Sequence, residues 1–170
     1  MRCIINTNMR TSRRLLNEHY SFWLGERFQG KNVANIRFHL KNHHIAPCLR
    51  YDFYQKVADR FRHNYSRAFA KNVRKTGILA EMVIYLHERQ GSHSNDAPHL
   101  HILAVYPDDK TIDDVSSFVF KFCNKPRLDP ITGKMVLDTV RTYDVSETRT
   151  ITGSLIYNGR EGHTSLLHLL

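Results

Sequence analysis

Apolar residues recur every three or four positions in some segments of the chain and alternate or cluster in others. The helical spacing predicts α-helices over residues 13–28, 50–75 and 113–122, with a last helix that begins at Asp144. The alternating or continuous apolar runs predict β-strands over residues 35–40, 79–88, 99–106 and 135–143. Helices and strands therefore follow one another through most of the chain.

Capping and turn residues delimit several of these segments. Ser12 is placed to cap the first helix and Gly30 to end it, and Pro47 marks a boundary before the long helix. Asp144 with Glu147 three residues later has the pattern of a capping box. The helix that this box would open carries its inward apolar positions at Ile151, Leu155 and Ile156 and frays at Gly159 and Gly162.

The two central strands predict the topology of the sheet. Segments 79–88 and 99–106 are separated by the polar loop RQGSHSNDAP, which favours an antiparallel hairpin. The expected fold is α+β, with a mainly antiparallel four- to five-stranded sheet backed by helices and of ferredoxin-like character. We expect a single domain over 1–170, with a helical extension at 1–34 and the core at 35–162.

The positive charge is concentrated on the long helix. The 170 residues include 25 Lys and Arg against 16 Asp and Glu, a formal charge of +9. Segment 50–75 holds eight basic and two acidic residues, a difference of six, and so carries two-thirds of that excess. This charge favours a polyanionic partner, and the residues expected to contact phosphates are Arg60, Arg67, Lys71 and Arg74.

Cysteine usage and hydropathy indicate the cellular compartment. Apolar runs stay below the roughly 18 residues of a membrane span, and the basic N-terminal segment lacks the apolar stretch of a secretory signal. Cys3, Cys48 and Cys123 are odd in number and widely spaced, which argues against a disulfide framework and a structural zinc site. We expect a cytoplasmic protein that binds no membrane.

One motif points to metal chemistry. His99 and His101, in the run PHLHIL, would project from the same side of a strand at a spacing that suits two ligands of one cation. Alternation allows only one of His87 and Glu88, at the end of the partner strand, to face this pair. We favour Glu88, because two imidazoles and one carboxylate suit Mg²⁺ or Mn²⁺, and His87 is the alternative.

A tyrosine on the predicted last helix supplies a nucleophile. Ser154, Tyr157 and Arg160 are spaced by three and share one helical face. A phenol becomes a usable nucleophile where a nearby cation stabilises the phenolate, and Arg160 is one turn away from Tyr157. Tyr143 is the second candidate for this role.

Together these residues resemble the HUH endonuclease superfamily, which comprises rolling-circle replication initiators and their relaxase and transposase relatives. Within it, the chain is most similar to small phage or prophage replication proteins of the inovirus type. The resemblance covers 35–162 and rests on the runs PHLHIL, LHERQG and Tyr157-Asn158-Gly159-Arg160, the last at the place of the family's YxxK. Arg160 replaces the usual lysine, Gly159 weakens the helix, and NIRFHL is a placeholder for the family's first motif.

The resemblance implies nicking and joining of single-stranded or hairpin origin DNA by a single tyrosine. Tyr157 would form a 5′-phosphotyrosine link with Arg160 beside it, and Mg²⁺ or Mn²⁺ held by His99, His101 and Glu88 would coordinate the scissile phosphate. The role implied is the initiation of rolling-circle replication of a phage, plasmid or related mobile element. A separate helicase and polymerase would be required, since 170 residues leave no room for a motor domain.

Two other functions stay open at this point. One is a non-catalytic, basic nucleic-acid-binding regulator, and the other is an HUH-type transposase, which shares the same residues. A nucleotide hydrolase of the histidine-triad kind is not favoured, because its motif continues to a third alternating histidine where this strand has Leu103.

Overall fold

The computed structural model describes residues 21–40, 50–87, 99–125, 127–128, 133, 135–136, 140–148, 150–151 and 164–169. The helices are α1 (residues 21–28), α2 (Arg50–Phe69), α3 (Val73–Thr76) and α4 (Ile112–Asn124). The strands are β1 (Asn32–Leu40), β2 (Met82–His87), β3 (His99–Tyr106), β4 (Arg127–Leu128), β5 (Met135–Val136), β6 (Val140–Glu147) and β7 (Thr164–Leu169).

Five of the strands form one sheet in the order β6-β1-β3-β2-β7, and β4 pairs separately with β5. All four neighbouring pairs of the large sheet are antiparallel. The α+β class, the antiparallel sheet and the β2–β3 pairing are therefore confirmed. The His-x-His strand, β3, lies in the middle of this sheet, between β1 and β2.

Helices α2 and α4 cover one face of the sheet, which we call the α2/α4 face. The apolar stripe of α2 is buried there against Ile36 and Phe38 of β1 and the even-numbered residues of β2 and β3. The stripe consists of residues spaced by four along the helix, namely Phe53, Val57, Phe61, Tyr65 and Phe69. Phe61 lies at the centre of an aromatic cluster, with its ring centroid 5.2 Å from those of both Phe38 and Phe122. Burial of each such side chain contributes about 1.5–3 kcal/mol, so this stripe anchors α2.

The opposite face, which we call the α1 face, is packed by α1. Leu24 and Phe28 are fully buried against Val33, Val83 and Leu103, with which they form a second apolar cluster. The prediction of a helix over 13–28 is confirmed for residues 21–28. Since α1 and the start of β1 precede residue 35, and β7 follows residue 162, the sheet and its packing extend beyond the core boundaries expected from the sequence.

The long helix is shorter than predicted. It ends at Phe69, and Asn72 then adopts the left-handed conformation (φ 56°) before the short helix α3. Asn is among the few residues that tolerate this conformation at small cost, so the chain can turn here. Ser66 links α2 to the segment before β2, because its hydroxyl donates to the carbonyl of Arg62 and accepts from the buried amide of Ala80.

Helix α4 matches the expected segment and carries a capping box. The amide of Asp114 donates to Thr111 Oγ1 at 3.3 Å, and the amide of Thr111 donates to Asp114 Oδ2 at 2.9 Å. Both bonds satisfy amides that the helix itself leaves unpaired. Hydrogen bonding from Thr111 lowers the pKa of Asp114.

The last part of the predicted order is wrong in two places. The predicted strand over 135–143 is divided, since Met135–Val136 pairs with β4 and the sheet strand β6 begins at Val140. Asp144 and Glu147 do not form a capping box, because both lie on β6 in extended backbone paired with β1. The chain from Thr164 to Leu169, for which the sequence predicted no element, forms the edge strand β7.

Ile151 is helical and packs against the cluster on the α1 face, as expected of an inward position. Leu155, Ile156, Gly159 and Gly162 lie outside the described residues. Within the described part of the chain, no helix combines the length and apolar character needed to cross a membrane.

Candidate metal centre

Sheet register brings polar side chains together on the α1 face. His99 of β3 lies between His39 of β1 and His87 of β2, and His101 lies between Arg37 and Tyr85. Antiparallel partners project from the same side of a sheet, so these two rows form one polar patch. The patch occupies the half of the face that carries the beginning of β3, whereas Leu103 and Val105 continue the same face as an apolar surface.

Three of these histidines form a compact group, which we call the three-histidine cluster (His87, His99 and His101). Each offers one ring nitrogen, and these three atoms lie within 4.8 Å of one another. The ring centroids of His87 and His101 are 4.4 Å apart, and those of His99 and His101 are 4.9 Å apart. This spacing is close enough for one metal ion to be held by all three side chains.

Burial keeps His101 in the neutral form. The side chain is almost completely enclosed, and desolvation together with the neighbouring imidazoles lowers the pKa of His101 to about 2. Arg37 adds to this effect through its positive charge. A neutral imidazole retains the lone pair that a metal ion requires, so His101 is available as a ligand over the physiological pH range.

A second observation also indicates that these histidines suit a metal ion. Nδ1 of His101 is buried and has no hydrogen-bond partner among the described residues. Buried polar atoms nearly always have a partner, and a cation can serve as one for a nitrogen lone pair. Among the described residues the cluster contains no carboxylate, so its candidate ligands are three imidazole nitrogens.

The structure brings together two of the three metal ligands expected from the sequence. His99 and His101 lie on one face as predicted, and the third member in the described part of the chain is His87, the alternative to Glu88. Residues 88–98 lie outside the described residues, and the favoured ligand Glu88 is among them. The residues expected to carry out the chemistry, Tyr157 and Arg160, also lie outside the described residues.

The second candidate for the nucleophile is on the wrong side of the sheet. Tyr143 lies opposite Phe38 in the β1–β6 register, and Phe38 is buried under α2 and α4. Tyr143 therefore faces away from the three-histidine cluster. Tyr85 does lie on the α1 face opposite His101, but burial raises the pKa of its hydroxyl to about 12, which makes it a poor nucleophile.

Two of the expected phosphate-binding residues, Arg60 and Arg67, lie on α2, which packs on the α2/α4 face. Arg67 is exposed on α2, Lys71 is exposed in the turn after it, and Arg74 is exposed on α3. Arg60 is half-buried, and burial lowers the pKa of its guanidinium. Because α2 packs on the face opposite the histidines, the sheet separates Arg60 and Arg67 from the three-histidine cluster.

Sequence reasoning did not select Arg37 and His39 for the site. Both lie in NIRFHL, whose alternation correctly places them on the face opposite Ile36 and Phe38. The alternation did indicate that Arg37 and His39 share a face of the sheet with polar residues of whichever strand pairs with β1. Only the β1–β3 register identifies those residues as His99 and His101.

No family model, curated protein or solved structure matches this chain. The function is therefore argued from the three-histidine cluster and the residues around it.

Proposed function

We propose that this chain is a metal-dependent single-stranded DNA nicking and joining endonuclease of the HUH type. The observation that carries the proposal is the three-histidine cluster, in which three nitrogen donors lie within 4.8 Å on one face of the central strands. The central position of β3, with His99 and His101 two residues apart on it, supports the same assignment. The excess of positive charge suits a nucleic acid substrate.

His87, His99 and His101 would hold the metal ion. When bound, the ion supplies Lewis-acid polarisation of a phosphodiester and stabilises the charge that develops on it. Three imidazoles are ligands that first-row transition metals prefer, whereas Mg²⁺ prefers oxygen. We therefore propose a transition-metal ion, with Mn²⁺ bound more tightly than Mg²⁺.

Tyr157 is the proposed nucleophile. Its hydroxyl oxygen attacks phosphorus, a Tyr–O–P bond forms, and the bond from phosphorus to the 3′ oxygen breaks. The 3′ oxygen leaves with a proton as a free 3′-OH, and the DNA remains linked through a 5′-phosphotyrosine. The reverse transfer rejoins the strand without ATP, since the bond energy is conserved in the covalent link.

Two features of the chain support this assignment for Tyr157. Arg160 is one helical turn away in the expected helix and would stabilise the phenolate or hold a phosphate oxygen. Ile151, six residues earlier, packs on the same face of the sheet as the three-histidine cluster. We propose that this chemistry initiates rolling-circle replication of a mobile element, with a separate helicase and polymerase.

Covalent capture of DNA tests the proposal. The full chain is incubated with a panel of labelled single-stranded and hairpin oligonucleotides and Mn²⁺, and the products are separated on a denaturing gel. The wild type should give a band of protein–DNA adduct that Tyr157→Phe and His99→Ala abolish. Tyr51→Phe is the matched control, because Tyr51 is exposed on α2, on the other side of the sheet.

The alternative functions give different products. DNA binding without any adduct across the panel would refute nicking and favour the non-catalytic regulator. Cleavage followed by joining to a second, unrelated strand would favour the transposase. An adduct that persists in Tyr157→Phe would refute the assignment of the nucleophile.

A further inference from the structure

Strand β1 places a cation next to the three-histidine cluster. Arg37 lies opposite His101 in the sheet register and His39 lies opposite His99, so both side chains project on the α1 face. The rings of His39 and His99 are stacked, with centroids 5.2 Å apart. The charge of Arg37 contributes to the lowered pKa of His101, which agrees with its position in the neighbouring row.

One hydrogen-bond donor of Arg37 is left without an acceptor within the described part of the chain. Its Nε is buried and has no acceptor among the described residues. Guanidinium N–H groups at such positions almost always have an acceptor. A ligand that offers oxygen acceptors would provide one.

The positive charge that the site would carry with a metal ion bound also favours an anionic ligand. Imidazoles that bind a metal ion are neutral, so a divalent ion held by the three-histidine cluster keeps both its charges, and Arg37 adds a third. In the described part of the chain, the acid in register with Arg37 is Asp144 of β6, and its side chain is exposed. The described carboxylates therefore leave the loaded site with an excess of positive charge.

We propose that Arg37 and His39 form a phosphate subsite on the β1 side of the three-histidine cluster. Its occupant is a backbone phosphate of single-stranded DNA, an identification that rests on the proposed function. The planar fork of Arg37 matches two phosphate oxygens, and a ring N–H of His39 donates a further hydrogen bond. Arg37 is a positioning residue, since it holds the strand while another phosphodiester lies at the metal ion.

Binding measurements separate this role from a structural one. Fluorescence anisotropy of a labelled oligothymidylate is recorded with the full chain at several salt concentrations, with Mn²⁺ and with EDTA. Arg37→Ala should weaken binding about tenfold, as expected for a charge-assisted hydrogen bond. The slope of log affinity against log salt should fall by about 0.7, the value for one phosphate of a single strand.

Three further variants sharpen the result. Arg37→Lys should recover part of the affinity, because it keeps the charge and loses the fork. His39→Ala should weaken binding about threefold, as expected for the loss of one hydrogen bond. Lys121→Ala, an exposed cation on α4 and so on the other side of the sheet, should bind like the wild type.

Calorimetric titration of Mn²⁺ completes the test. Arg37→Ala should bind Mn²⁺ at least as tightly as the wild type, since it removes a neighbouring positive charge. If Arg37→Ala binds DNA with the affinity and the salt slope of the wild type, the proposed subsite is refuted. If Arg37→Ala loses Mn²⁺ binding together with DNA binding, the subsite is also refuted, because the substitution has then damaged the metal site. Failure of the proposed function gives a different result. In that case no covalent adduct forms with the wild type, but the wild type and Arg37→Ala still differ in DNA affinity.

Discussion

Replacing His101 by Leu should make the protein less sensitive to acid. The pKa of His101 is lowered from the ordinary 6.5 to about 2 by burial and by the imidazoles and guanidinium around it. Below pH 6.5 the unfolded chain binds a proton at this residue and the folded chain does not. The free energy of unfolding therefore decreases as the pH falls from 6.5 towards 2.

The magnitude follows from this difference in proton binding. One proton taken up only by the unfolded state changes the free energy of unfolding by about 1.4 kcal/mol per pH unit. Between pH 7.5 and pH 5.0, His101 should therefore lower the free energy of unfolding of the wild type by about 2 kcal/mol. Leu cannot titrate and suits the apolar residues Val83 and Leu103 on the same face.

Urea unfolding at several pH values between 7.5 and 5.0, in EDTA, measures the effect through tryptophan fluorescence. The stability of His101→Leu relative to wild type should rise by about 2 kcal/mol over this range. His63→Gln is the matched control, because His63 is exposed on α2, and it should follow the wild-type profile. Parallel profiles for wild type and His101→Leu would refute the argument, since they would mean that the folded protein protonates His101.

Three predictions concern the fold and are checked by urea unfolding at pH 7.5. Phe61→Ala should lower the free energy of unfolding by about 3–5 kcal/mol, because it removes a fully buried ring from the aromatic cluster; a loss below about 1 kcal/mol would contradict this packing. Ser66→Ala should cost about 1–3 kcal/mol by leaving the amide of Ala80 without its acceptor, and hydrogen exchange at Ala80 should accelerate. Thr111→Ala should cost about 1 kcal/mol through loss of the cap of α4, and an unchanged midpoint would show that the cap contributes nothing.

The errors in the predicted elements have a common physical cause. Asp144 and Glu147 have the spacing of a capping box, but β6 is held in extended backbone by its pairing with β1. Glu147 also accepts a hydrogen bond from the hydroxyl of Tyr106 at 3.2 Å, a contact between distant parts of the chain. Tertiary pairing of this kind overrides local preference, which is why the second half of β6 and the edge strand β7 could not be identified from spacing alone.

Hydrophobic periodicity by itself determined which side of α2 and of β1 is buried. The stripe on α2, the alternation of β1 and the shared face of His99 and His101 all follow from the periods of helix and strand, and all agree with the structure. These features depend only on residues within one segment, so they can be deduced from that segment.

Apart from the β2–β3 hairpin, only the tertiary structure decided which segments lie side by side. The β2–β3 register makes His87 the third member of the cluster in the described part of the chain. The β1–β3 register brings Arg37 and His39 beside the cluster, although β1 is about sixty residues away from β3 in the chain. Packing of α2 on the opposite face separates the basic helix from the histidines. Strand register, and the face of the sheet on which a helix packs, are properties of pairs of segments. They are set by how all the apolar surfaces are buried together, and no single segment of the sequence contains them.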